Sequence, residues 1–165
     1  VIRGLAGPLI AALLIPAGMP VAAPAGDTGQ ALRVLGADGA ALALLPLASG
    51  GEFCLRWNHS VTGGKVADCF VIADGRMVLD RSYLHDYAAG LGEVAGRGVV
   101  RPAEGGGYWI EAIDEPVRGN RLLLRVGGRA VDHRLTSGGR QIDLSDLAAG
   151  QRVILQPAGA RFGEN

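Results

Sequence analysis

Net charge is absent from this chain of 165 residues: 16 basic side chains are matched by 16 acidic ones, and the two signs are interspersed. That balance removes the electrostatic basis for holding a nucleic acid or an anionic membrane surface, and no nucleic-acid partner is expected. Long apolar runs are missing as well. The N-terminal stretch of residues 5–15 is preceded by Arg3 and broken or followed by Pro8, Pro16, Pro20 and Pro24. It is too short and too interrupted to cross a hydrocarbon core of about 30 Å as a helix. No internal repeat is present, and no helical periodicity runs beyond about two turns. Cysteine occurs only twice and histidine three times, with no two of them spaced as a local pair of metal ligands, so neither a metal nor another cofactor is expected.

Glycine, in contrast, is plentiful. The chain has 27 Gly and 8 Pro against 48% apolar residues, a composition that calls for many short connections between small elements. It has neither the triplet repeat of collagen nor the polarity of a disordered segment.

Arg3, the apolar stretch and the small residues between Ala22 and Gly26 have the pattern of a secretory leader. The expected organisation is a signal peptide over residues 1–25, a flexible lead over 26–31, a single β-domain over 32–157 and a tail over 158–165. Such a protein would be periplasmic or extracellular, with no stable membrane span after signal removal and, lacking a nearby cysteine, no lipid anchor. In an oxidising space the two cysteines invite a bridge. If Gly63-Gly64 is a two-residue hairpin turn, Cys54 faces Ala73 and Cys69 faces Asn58, four residues out of register. A loop starting near His59, or a bulge, would bring them together; otherwise they are two buried small hydrophobes.

Hairpin signals follow one another along the domain. Residues 32–37 and 41–47 flank Asp38-Gly39, residues 53–59 and 66–73 flank Gly63-Gly64, and Asp74-Gly75 reverses the chain into residues 76–80. Residues 108–113 form a further candidate strand, and 121–126 and 129–135 flank Gly127-Gly128 as a third hairpin. After residues 141–144, Ser145 is placed to cap one helical turn that Gly150 stops, before a last strand over 151–156. The expectation is an all-β fold, an antiparallel β-sandwich or small barrel of about ten short strands with one short helical turn near the C-terminus. Alternation of Phe53, Leu55 and Trp57 with Cys54, Arg56 and Asn58 gives the third strand one packed and one more polar face.

Three places could carry chemistry. Trp57-Asn58-His59-Ser60-Val61-Thr62 ends a strand, where a His and a Ser either contact a ligand or hold the turn. Tyr83 to Gly92 sets two aromatic rings, His85 and Asp86 before a stretch with seven glycines in residues 88–107, whose backbone N–H groups could donate to an anion. Gly90-Leu91-Gly92-Glu93-Val94-Ala95 meets the loose dinucleotide fingerprint but lacks the following helix and the surrounding βαβ unit. Asp132-His133-Arg134 lies on a strand, where neighbours point to opposite faces, and His133 reads as structural.

In order and spacing, Phe53-x-Leu55-x-Trp57-x-His59-Ser60-Val61, Tyr83-x-x-x-Tyr87-x-Ala89-Gly90-Leu91 and Asp132-His133-Arg134-Leu135 resemble a small bacterial and archaeal family of uncharacterised domains. The resemblance runs from about Leu32 to Gln156. Members are often encoded beside TAXI-type tripartite ATP-independent periplasmic (TRAP) transporters. Thr62 stands where the family pattern has Glu, and Ala88 where it has Gly. The family has no established activity, so the resemblance implies a context: a noncatalytic accessory of a TRAP system, with the transporter components or their solute as partners. The expected ligand is a small anion, with His59 and Ser60 donating to it, backbone around Ala89, Gly90 and Leu91 completing the cradle, and Tyr87 or Trp109 as a wall. The competing expectation is a hydrolytic or metal-dependent enzyme using His59, His85 or His133.

Overall fold

The computed structural model describes residue 1, residues 30–86 and residues 96–159. The expected leader, apart from Val1, lies outside them. Among the described residues, four strands form one antiparallel sheet and eight form another. The smaller sheet has the order β2-β1-β12-β9, built from β1 (Ala31–Gly36), β2 (Ala41–Pro46), β9 (Leu122–Arg125) and β12 (Arg152–Pro157). The larger has the order β11-β10-β3-β4-β5-β7-β6, from β3 (Phe53–Asn58), β4 (Lys65–Ala73), β5 (Arg76–Leu84), β6 (Val99–Pro102), β7 (Tyr108–Glu111), β10 (Arg134–Ser137) and β11 (Arg140–Asp143), with β8 (Glu115–Pro116) beside β5.

One apolar core draws on both sheets. Leu32, Val34, Val153 and Leu155 point in from the smaller sheet, and Phe53, Leu55, Phe70, Ile72, Met77 and Leu135 from the larger. The fold is therefore a β-sandwich, the first of the two expected architectures. Strand alternation decides which residues enter that core: Phe53, Leu55 and Trp57 of β3 join it, while Cys54, Arg56 and Asn58 face outward. Phe53 and Phe70 sit directly opposite each other with ring centroids 5.1 Å apart, and each large apolar side chain fully buried this way adds roughly 1.5–3 kcal/mol.

The turns at Asp38-Gly39 and Asp74-Gly75 form as expected. The remaining Gly-Gly turns differ. Gly63-Gly64 is not a two-residue turn: β3 pairs with β4 through Asn58 opposite Lys65, leaving a loop over 59–64 closed by His59 N–H to Gly64 O and Gly63 N–H to His59 O, both 2.8 Å. This register places Cys54 opposite Cys69, and the two form a disulfide. Gly127-Gly128 is not a hairpin turn either. Residues 126–133 cross from β9 in the smaller sheet to β10 in the larger, and a side chain at Gly127 would come within 2.6 Å of Val131. The hairpin that does form joins β10 to β11 at Gly138-Gly139, where both residues take positive φ of 52° and 79°, the geometry a two-residue reversal requires.

The short helix α1 (Leu144–Ala148) is capped by Asp143, whose carboxylate accepts the Asp146 N–H at 2.9 Å. Ser145, expected as the cap, is instead buried inside the first turn, two residues beyond Asp143. Its hydroxyl donates to Gly127 O at 2.8 Å and accepts the His133 N–H at 2.9 Å.

Candidate functional site

The outward face of the larger sheet collects polar groups from four neighbouring strands. Register and alternation place Arg134 and Thr136 of β10 beside Cys54, Arg56 and Asn58 of β3, then Lys65, Ala67 and Cys69 of β4, then Arg81 and Tyr83 of β5. Ala67, Cys54 and Cys69 form a buried floor, while Arg56 and Lys65 stand exposed above it. A groove of about 210 Å³ runs over this floor between Arg56, Asn58, Lys65, Tyr83 and Arg134. A second groove of about 400 Å³ lies on the other side of Arg56, over Cys54 and beside Glu52, Thr136 and Arg140.

Charge pairing on this face is uneven. Both carboxylates that line the grooves already hold an arginine: Glu52 bonds Arg81 at 2.9 Å and Asp132 bonds Arg134 at 2.8 Å. Arg56 and Lys65 make no ion pair among the described residues. Arg56 Nε donates to Thr136 Oγ1 at 3.2 Å, and the residue lines both grooves. Arg56 lies straight across from Arg134 and diagonally from Lys65. Diagonal neighbours in a sheet are roughly 7–8 Å apart. Like charges so placed repel one another, and an anion between them removes the repulsion.

Of the residues singled out from sequence, Asn58 and Tyr83 line this groove, whereas His59, Ser60 and Trp109 do not. His59 closes its own loop: its Nδ1 receives long contacts from the Val61 and Thr62 N–H groups at 3.4 and 3.3 Å. Thr62 Oγ1 in turn accepts the Gly64 N–H at 3.1 Å. Ser60 is exposed on the same loop. Trp109 lies on the outer face, tilted against Tyr83 with ring centroids 5.3 Å apart and with the Arg81 guanidinium 5.4 Å from its ring. Tyr83, a wall of the groove, hydrogen-bonds Gly106 O at 2.9 Å and His85 Nδ1 at 3.2 Å. Tyr87, Ala89, Gly90 and Leu91 lie outside the described residues. The nearest described neighbour, Asp86, packs so closely on Gly64 that a side chain there would collide with its carboxylate.

The three histidines occupy separate surroundings. His133 is buried, and its Nδ1 accepts the Gly127 N–H at 2.9 Å. Burial holds its pKa below the usual histidine value, with the Asp132 carboxylate opposing in part. Among the described residues no group of three His, Cys, Asp or Glu side chains is arranged to hold a metal ion. Sequence reasoning passed over Arg56 and Lys65. Alternation already put Arg56 on the polar face of β3, and the true β3–β4 register would have set Lys65 beside it.

One half-buried carboxylate lies on the inner face. Asp68 accepts the Ser82 hydroxyl at 2.6 Å, and burial raises its pKa, offset in part by that hydrogen bond and by the Arg97 charge. A carboxyl with a raised folded pKa contributes its full stability below its unfolded pKa and loses it as pH rises through the folded value. Asp68→Asn, which keeps an acceptor for Ser82, is therefore expected to raise the melting temperature at pH 7, with the gain shrinking toward about pH 4. Thermal unfolding of both proteins across that range checks this, and a gain that grows on acidification would contradict it. The lowered pKa of His133 acts the other way, its contribution being present above pH 6.5 and lost as pH falls through the folded value. It is common to both proteins and cancels in the difference.

An antiparallel β-sandwich with a cation-lined groove on the outward face of its larger sheet is thus the class of molecule at hand. Residues 53–144 match the family described as a domain of unknown function, DUF1850, and the chain belongs to that family. The match runs from the start of β3 to the first residue of α1, so it contains every strand of the larger sheet and leaves β1, β2 and β12 outside. No curated protein matches the chain, and no solved structure matches it. No helix among the described residues is long and apolar enough to cross a membrane.

Proposed function

We propose that this protein is an exported, noncatalytic binding domain that serves as an accessory to a TAXI-type TRAP transport system and takes a small anionic solute in the groove between Arg56 and Lys65. The observation that carries the reading is the pair of cations left without carboxylate partners above a buried floor, where the neighbouring acids are already engaged. The Cys54–Cys69 bridge supports export, because such bonds persist in oxidising compartments and are rare in reducing ones. The transport context rests on the resemblance in sequence pattern.

Relative to the sequence expectation, the anion site moves from His59 to Arg56 and Lys65. Tyr83 supplies the aromatic wall, with Trp109 packed behind it. His59 and Ser60 sit on the loop that starts where β3 ends, and they define the rim. A thermal-shift series with monocarboxylates, dicarboxylates, amino acids, phosphate and sulfate tests the proposal. A ligand at 100 times its dissociation constant should add about 2.7 kcal/mol. Arg56→Gln with Lys65→Gln should weaken the best ligand by at least about a hundredfold, given roughly 1.5–3 kcal/mol per charged hydrogen bond. His59→Ala should change affinity by only a small factor. An anion that stabilises wild type and double variant alike would remove the groove from the account.

A further inference from the structure

The opposite face of the sandwich has a different chemistry. The four strands of the smaller sheet carry three arginines, Arg33, Arg125 and Arg152, and no carboxylate at all. None of the three makes an ion pair among the described residues. Between them runs a row of apolar side chains facing away from the core: Leu123 of β9 opposes Ile154 of β12, which opposes Leu35 of β1. Leu123 is 73% exposed, and Leu44 of β2, opposite Arg33, is 56% exposed. A concavity of about 430 Å³ opens beside Leu123 and Ile154 and is flanked by Arg125 and Arg152.

The edge of this sheet is open as well. β9 ends the strand order, pairing only with β12 among the described residues. It contains neither proline nor lysine, two devices that commonly keep an edge strand from accepting another. We infer that this face and edge receive an extended segment of a partner protein, one whose outward positions, every second residue, carry apolar and acidic side chains in turn. Its backbone would pair with β9, an apolar side chain would enter the concavity, and its carboxylates would meet Arg125 and Arg152.

The other occupants fit less well. In a symmetric dimer through this face each copy would present the same arginines to the other. A lipid surface favours tryptophan or tyrosine at the contact, and these four strands contain neither. The inference does not depend on the anion groove, which lies on the other sheet.

The test uses the full chain with a short synthetic peptide of the repeat Leu-Thr-Glu-Thr, a second of the repeat Leu-Thr-Lys-Thr, and vesicles rich in phosphatidylglycerol. Binding is read by fluorescence anisotropy for the peptides and by co-sedimentation for the vesicles, with self-association followed by analytical ultracentrifugation. The acidic peptide should bind and the basic one should not. Arg125→Glu should weaken the acidic peptide at least about tenfold, as should Leu123→Ser. Because Arg125 opposes Arg152, the charge reversal also relieves a like-charge pair and leaves the fold intact. Arg56→Gln should leave peptide binding unchanged. No peptide binding, equal binding of both peptides, partition onto vesicles or self-association through this face would each overturn the inference.

Discussion

Replacing Cys54 and Cys69 together by alanine is expected to lower folding stability by about 3 kcal/mol, the loop-closure value for a bridge spanning 15 residues. The melting temperature should fall by on the order of 10 °C. Both cysteines are buried and sit directly across β3 and β4 at the centre of the larger sheet. The bond closes the β3–β4 hairpin, and its loss chiefly frees the unfolded chain. Alanine avoids placing new polar atoms in the floor of the groove. Denaturant unfolding of the oxidised wild type, the reduced wild type and the double variant checks the value. Reduced wild type and double variant should agree closely, and a loss below about 1 kcal/mol would mean that the strand pairing alone fixes this hairpin.

Ser145→Ala is expected to cost roughly 2–4 kcal/mol, because it strips one buried and one part-buried backbone group of their partner at once. The Ser145 hydroxyl accepts the His133 N–H and donates to Gly127 O. It therefore ties the crossover between the two sheets to the start of α1. His133 makes the complementary links: its Nδ1 accepts the Gly127 N–H and its carbonyl accepts the Leu144 N–H at 2.9 Å. This segment has no ladder of its own, so side chains take the place of a neighbouring strand. Urea unfolding should show a lower midpoint with an unchanged slope, and an effect within about 0.5 kcal/mol, typical of a surface substitution, would contradict the assignment.

Much of the architecture was legible because period-two alternation and local turn chemistry carry it. Leu32 and Val34 against Arg33, and Phe53 and Leu55 against Cys54, announce half-buried strands, and Asp38-Gly39 and Asp74-Gly75 announce reversals. The choice between sandwich and barrel was not legible, since it depends on which strands neighbour one another across long separations, such as β1 beside β12. Three of the Gly-Gly pairs show the limit most clearly. Residue type alone treats Gly63-Gly64, Gly127-Gly128 and Gly138-Gly139 alike, yet only the last is a two-residue hairpin turn. The first belongs to a longer loop, and the second to a crossover between sheets whose path is set by the packing of Val131 and His133.

The candidate site followed the same division. Alternation on β3 was enough to put Arg56 and Asn58 on the polar face. Register was needed to bring Lys65, Ala67 and Tyr83 beside them, and the register rested on the Gly63-Gly64 turn, which is a longer loop. His59 was conspicuous by residue type, and its Nδ1 serves its own loop. Arg56 and Lys65 were inconspicuous in a chain with 16 cations. What sets them apart is that they stand over one groove whose neighbouring carboxylates are already engaged, a property of three-dimensional neighbours alone.

An amide NMR titration of the oxidised protein at low salt, using the anion that stabilises it most, locates the ligand directly. Saturable shifts centred on Arg56, Asn58, Lys65, Ala67 and Tyr83, and lost in the Arg56→Gln, Lys65→Gln protein, are expected. Shifts confined to the loop of His59 or to the smaller sheet, or no saturation with any anion, would contradict a binding site on the outward face of the larger sheet.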